Sequence, residues 1–126
     1  NGLRDAGDTS QHIRGSDRSV KNGWLAYDDI VKMTGEVRGR VGEITAAGEI
    51  PLVLGGCCTL IPAVLAGARD TFGDIGLAYF DGHLDLFTGN SSPTGEGADM
   101  PMSATLGMAP PEVKGQPRIP PSPLGW

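Results

Sequence analysis

Two short, unbroken apolar runs constrain the fold of this chain more than any other feature. They are Ile50-Pro51-Leu52-Val53-Leu54, ended by Gly55-Gly56, and Ile75 to Phe80, followed by Asp81-Gly82. Runs of this length without alternation suit strands buried on both faces, and such strands belong to parallel sheets covered by helices. The flanking segments read as those helices. Trp24, Tyr27, Val31, Val37, Val41 and Ile44 recur at threes and fours, with Thr34 filling the one longer gap, which is the stripe of an amphipathic helix. Gly35, Gly39 and Gly42 weaken it, each costing roughly 1 kcal/mol relative to alanine, while Gly48 is placed to end it. Between the two runs, Thr59 to Ala68 has Leu60, Ile61, Val64 and Leu65 in helical spacing, with Thr59 as cap and Pro62 confined to the first turn. Helix, strand, helix, strand with short connections predicts an α/β fold with a parallel sheet and crossover helices.

Composition bounds the rest. A chain of 126 residues holds one modest domain, and 20 Gly with 10 Pro make it loop-rich although 39% of residues are hydrophobic. Most of the prolines fall between Pro110 and Trp126, so residues 1–108 are read as a partial α/β domain and 109–126 as a Pro-rich, disordered tail. A net charge of −5 with no basic block disfavours nucleic acid and anionic membranes as partners. No apolar run approaches the ~20 residues of a membrane-spanning helix, and Asn1 to Ser10 has neither the basic nor the apolar part of a signal peptide. A cytoplasmic location is therefore expected. The chain does not begin with Met, which suggests a start inside a longer protein. Asn1 to Val20 has no hydrophobic period and reads as a surface connection carrying no chemistry.

Ligands of parallel sheets gather beyond the carboxyl ends of the strands, and two segments lie there. Asp81-Gly82-His83-Leu84-Asp85 places two carboxylates and an imidazole at alternate positions, and in an extended segment all three project to one side. Mixed carboxylate and imidazole donors suit Mn, Fe or Zn; the alternative is a solvated surface turn. In Gly55-Gly56-Cys57-Cys58-Thr59, the glycines permit a sharp turn or close approach of a ligand. A thiolate at Cys58 is a candidate metal ligand; otherwise both cysteines act as small buried hydrophobes. His12 reads as a solvated surface residue, Trp24 and Tyr27 as packing residues, and Asp28-Asp29 as a solvated helix face.

Pro51 to Gly56, Asp81 to Asp85 and the segment Ser92-Pro93-Thr94-Gly95-Glu96-Gly97-Ala98-Asp99-Met100-Pro101 together resemble the arginase, agmatinase and formimidoylglutamase family, the ureohydrolases. The resemblance runs from about Trp24 to Gly107. It implies a three-layer α/β/α domain with a parallel sheet, two manganese ions, and hydrolysis of a guanidinium or amidine C–N bond by a metal-bridging hydroxide. It also implies a small-molecule guanidinium or amidine substrate and a homo-oligomer when full length. Asp81, His83 and Asp85 match the family's Asp-x-His-x-Asp ligands, with Asp81 and Asp85 as the catalytic carboxylates. Thr94 falls where a substrate-contacting Ser is common, and Asp99 beside it is a candidate for holding a cationic substrate group.

The departures are specific. Cys57 stands where the family has Asp, and Cys58 where a metal-binding His is expected, a change that favours softer ions such as Zn2+ over Mn2+. Ala98 replaces a His that shuttles protons in many arginases. The family's Ser-x-Asp-x-Asp ligands have no counterpart after Met108, where Glu112 is the sole acid. An arginase-like metallohydrolase, present here as an incomplete and by itself inactive chain, is the leading reading. The alternative is a non-catalytic binding or assembly domain on the same scaffold. A single-zinc hydrolase akin to the histone deacetylases would require a distant Asp that this chain lacks.

Overall fold

A computed structural model describes residues 2–108. The tail reading for 109–126 lies outside the described residues. Among the described residues there are three helices: α1 over Tyr27–Ala46, α2 over Ile61–Phe72 and the short α3 over Pro101–Thr105. Two 3-10 turns, Cys58–Leu60 and Gly97–Asp99, precede α2 and α3.

Helix α1 follows the predicted stripe with its buried face rotated by about one position. Ile30, Met33, Thr34, Val37, Val41 and Thr45 are buried, whereas Val31 and Ile44 lie at the margin. It ends as its glycine predicted. Gly48 has φ +76, Gly48 N–H donates to the Thr45 carbonyl at 3.0 Å, and Glu49 N–H donates to that of Ile44 at 3.1 Å. This pair of bonds closes the last turn. Pro62 sits in the first turn of α2 as expected, where its missing N–H has no partner to lose. Thr59 is not the cap: it lies one residue earlier, inside the 3-10 segment, with Leu60 at the cap position.

Helices α1 and α2 pack through Met33, Val37, Val41 and Ala63, flanked by Leu60, Val64 and Ala68. They approach closely enough that a Cβ on Gly67 would stand 2.5 Å from the Arg38 carbonyl oxygen. A second cluster joins Trp24, Ile30, Met100 and Ala104, with Tyr27 against it. The Trp24 and Tyr27 rings meet edge to face, 6.3 Å between centroids, which establishes them as packing residues.

The two apolar runs are not strands among the described residues, where the sole β-type pairing is an isolated bridge between Arg18 and Leu25. Residues 50–54 and 75–80 fall in no helix or strand, and most of their side chains stand in solvent, with Ile50 94% and Phe80 93% exposed, while Ile75 and Tyr79 are half-buried. The physical reason is the absence of neighbours: a strand has no internal hydrogen bonds and exists as one only beside a partner.

Candidate metal centre

The three segments singled out by sequence converge. The Cys58–Leu60 turn touches the Gly97–Asp99 turn, and a Cβ on Gly97 would lie 2.8 Å from Thr59 Cγ2. The backbone carbonyl of Asp85 accepts the N–H groups of Met102 and Ser103, at 3.1 and 3.4 Å, at the start of α3. Asp85 adopts φ +50 there and is only 9% exposed.

Around this anchor, Cys58 Sγ and carboxylate oxygens of Asp81 and Asp85 lie within 4.8 Å of one another. The Cys58 thiol donates to Asp81 Oδ2 at 3.4 Å. Tyr79, which the sequence offered only as part of an apolar run, puts its hydroxyl 3.2 Å from Asp81 Oδ2 and 2.5 Å from Asp85 Oδ2. Its signal was its register, two residues before Asp81 and therefore on the same side of an extended segment.

His83 does not join the cluster. Asp81 Oδ1 accepts the His83 backbone N–H at 2.9 Å, a local turn that replaces the extended geometry expected for residues 81–85. The turn throws the imidazole outward, its side chain 86% exposed and Nδ1 3.5 Å from Asp81 Oδ1. The reading of both cysteines as buried hydrophobes is also corrected. Cys57 is exposed, with Sγ 2.9 Å from Thr59 Oγ1, and Cys58 is half-buried.

The electrostatics follow from these contacts. The His83 N–H, then the Cys58 thiol, hold the Asp81 carboxyl below its usual range. Burial, then the hydrogen bond to Asp81, push the Cys58 thiol up. Burial and donation to Asp85 and Asp81 push the Tyr79 phenol up as well. The cluster therefore keeps its thiol and phenol protons at neutral pH while Asp81 is ionised.

Thr94 and Asp99 are brought together, as partners of each other. Asp99 Oδ2 accepts Thr94 Oγ1–H at 2.5 Å and Ser92 Oγ–H at 2.9 Å. Ser92 Oγ and Thr94 Oγ1 in turn accept the N–H groups of Gly95 and Glu96, at 2.8 and 3.0 Å. His12 is exposed as expected. Asp29 is more than a solvated face, since its Oδ2 accepts the N–H groups of Arg14 and Gly15, both at 2.9 Å, and ties the first segment to α1.

A thiol and two carboxylates in mutual reach suit a single divalent ion of intermediate character such as Zn2+. They do not match a pair of manganese ions, because His83 faces solvent and no further donor joins the group among the described residues.

Comparison with known proteins gives the family. The Arginase family matches residues 2–114. The chain is 36% identical to the arginase of Brevibacillus brevis over 80 residues, covering 64% of this chain and 27% of that one. It is 34% identical to the arginase of Bacillus caldovelox over 73 residues, 58% of this chain and 24% of that one. Among solved structures, Bacillus caldovelox arginase superposes with a TM-score of 0.74 at 24% identity, covering 86% of this chain and 37% of that one. Bacillus cereus arginase gives 0.70 at 27% identity, covering 77% and 34%. The chain thus spans about a quarter to a third of the length of the arginases it matches, and, with the match to the Arginase family running through every described residue, it belongs to the arginase family.

Proposed function

We propose that this chain is the metal-binding segment of an arginase-like hydrolase acting on a guanidinium or amidine C–N bond, and that it binds one divalent ion through Cys58, Asp81 and Asp85. The convergence of those three donors carries the reading. A bound ion would lower the pKa of a coordinated water and so supply hydroxide as nucleophile. The chain's own part is to hold the donors. Asp85 is fixed by its carbonyl at α3, Asp81 by the His83 N–H, and Cys58 by the turn entering α2. In this reading Asp81 and Asp85 are the catalytic carboxylates, His83 is a ligand only after residues 81–85 straighten, and Thr94 with Asp99 forms the substrate wall. Residues 50–54 and 75–80 would then be strands of the parallel sheet in a three-layer α/β/α domain, supported by the likeness to arginase structures. The same reading extends to a domain ending near residue 108, a cytoplasmic location and a homo-oligomer when full length. No helix among the described residues is long and apolar enough to cross a membrane.

These 126 residues alone are expected not to hydrolyse arginine, agmatine or guanidinobutyrate, because one thiol and two carboxylates do not assemble the two-manganese centre. Urea release from the isolated polypeptide, abolished by Asp85→Ala, would overturn that expectation. The metal reading is tested separately by zinc titration. One equivalent bound by the native chain and lost in Cys58→Ala supports it, and no binding refutes it. A second reading, a non-catalytic binding or assembly domain, is favoured by one observation: Tyr79 and Cys58 already satisfy both carboxylates with protons. Absence of bound metal, Mn2+ included, would select it.

A further inference from the structure

The segment Asn1 to Val20 has no hydrophobic period, yet one of its side chains binds more backbone carbonyls than any other contact described above. Arg18 donates from Nε to the Gly23 carbonyl at 2.9 Å and from Nη1 to that of Pro93 at 3.2 Å. Its Nη2 donates to the carbonyls of Gly89 at 3.1 Å and Ser92 at 2.7 Å. Three of these four acceptors belong to the loop that leads into the Ser92–Thr94–Asp99 cluster.

The two loops also touch through backbone alone. A Cβ on Gly23 would stand 1.9 Å from the Gly89 oxygen, and one on Gly89 1.7 Å from the Asn22 oxygen. Leu25 N–H donates to the Gly95 carbonyl at 2.7 Å. From there the contacts run inward: Ser92 Oγ to Asp99, the Gly97–Asp99 turn to Thr59, and Thr59 to its neighbour Cys58.

We propose that Arg18 is a positioning residue: its guanidinium gathers the carbonyls of Gly89, Ser92 and Pro93 and fixes the 89–95 loop, which leads into the Gly97–Asp99 turn packed on Thr59. The role rests on the reading of that loop as part of the site. A planar fork with donors on several edges can serve four carbonyls at once, which an ammonium on a flexible stem does not do in the same geometry.

The test uses the full 126-residue chain with Arg18→Ala and Arg18→Lys, read by amide hydrogen exchange at Leu25, Ser92 and Gly95. Both variants are expected to exchange there about tenfold faster or more, with α1 amides unchanged. Millimolar methylguanidinium is expected to restore protection in Arg18→Ala, and methylammonium is not. Native-like exchange in either variant, or failure of methylguanidinium to restore it, overturns the proposal. If Arg18→Ala does not fold, Arg18→Lys, which keeps the stem and the charge, decides alone. Cobalt added to the native chain reports on the site independently. A thiolate-to-cobalt absorption band that shifts in Arg18→Lys supports the link to Cys58, and an unshifted band refutes that link. No band in the native chain refutes the metal reading and leaves the exchange result to judge Arg18.

Discussion

At the scale of single residues, the cluster around Asp85 holds protons where an ion would need lone pairs. The Tyr79 hydroxyl reaches Oδ2 of both Asp81 and Asp85, the two carboxylates that would hold an ion together with Cys58. Hydrogen bonds to charged acceptors are worth about 1.5–3 kcal/mol, so the phenol competes with a metal more than it assists one. Tyr79→Phe should therefore bind cobalt or zinc on the order of tenfold more tightly than the native chain, measured by isothermal titration. Weaker binding in that variant would mean that the phenol instead orients the carboxylates for the ion. Cys58→Ala should lose binding in either case. The residue types at this site were legible in the sequence for Asp81, Asp85 and Cys58. His83 faces solvent rather than that group, because alternation assumes an extended chain and the Asp81 side chain turns the backbone at that point instead.

At the scale of elements, glycines that look alike in the sequence of helical segments have opposite consequences. Gly39 lies on the exposed side of α1, where an added Cβ would meet nothing within 4 Å, so Gly39→Ala should stabilise the chain by roughly 0.5–1 kcal/mol. Gly67 faces the Arg38 carbonyl and Val41 across the helix crossing, at 2.5 and 2.8 Å from an added Cβ. Overpacking there costs about 1–3 kcal/mol, and Gly67→Ala should lower the urea midpoint despite its better helix propensity. The same crossing carries a two-point ion pair, Arg38 Nε and Nη2 to Asp70 at 2.6 and 2.7 Å. The Arg38 guanidinium holds the Asp70 carboxyl below its ordinary value. A depressed carboxyl stabilises fully above its unfolded pKa of about 4 and loses that contribution as pH falls through the folded value. Both side chains are more than a third exposed, so solvent screening leaves about 0.2–1 kcal/mol. Asp70→Asn should remove that increment at pH 7 and make no difference near pH 2, as followed by thermal unfolding.

At the scale of the whole molecule, the division between what the sequence discloses and what it does not follows from where each element finds its partners. Helix α1 was legible because its hydrogen bonds are internal and its stripe and Gly48 are local signals. Ile50 to Leu54 and Ile75 to Phe80 carry the composition of buried strands, but a strand's hydrogen bonds are supplied from elsewhere, and no local pattern supplies them. The Arg18 contacts were illegible for a related reason, since carbonyls have no residue code. The unpaired runs have a consequence for the isolated chain. Ile50, Leu54 and Phe80 are all more than three-quarters exposed on two segments whose backbone groups have no ladder partner among the described residues. Apolar, unpaired extended segments pair with whatever chain presents the same groups. The 126-residue polypeptide should therefore associate at micromolar concentration, with an apparent mass in sedimentation velocity that rises with concentration. Ile50→Lys combined with Phe80→Lys should restore a monomer without lowering its stability, because neither side chain contributes to the two cores. If the double variant associates as strongly as the native chain, the apolar runs are not the contact surface; if it is monomeric but less stable, they pack in solution more than their exposure implies.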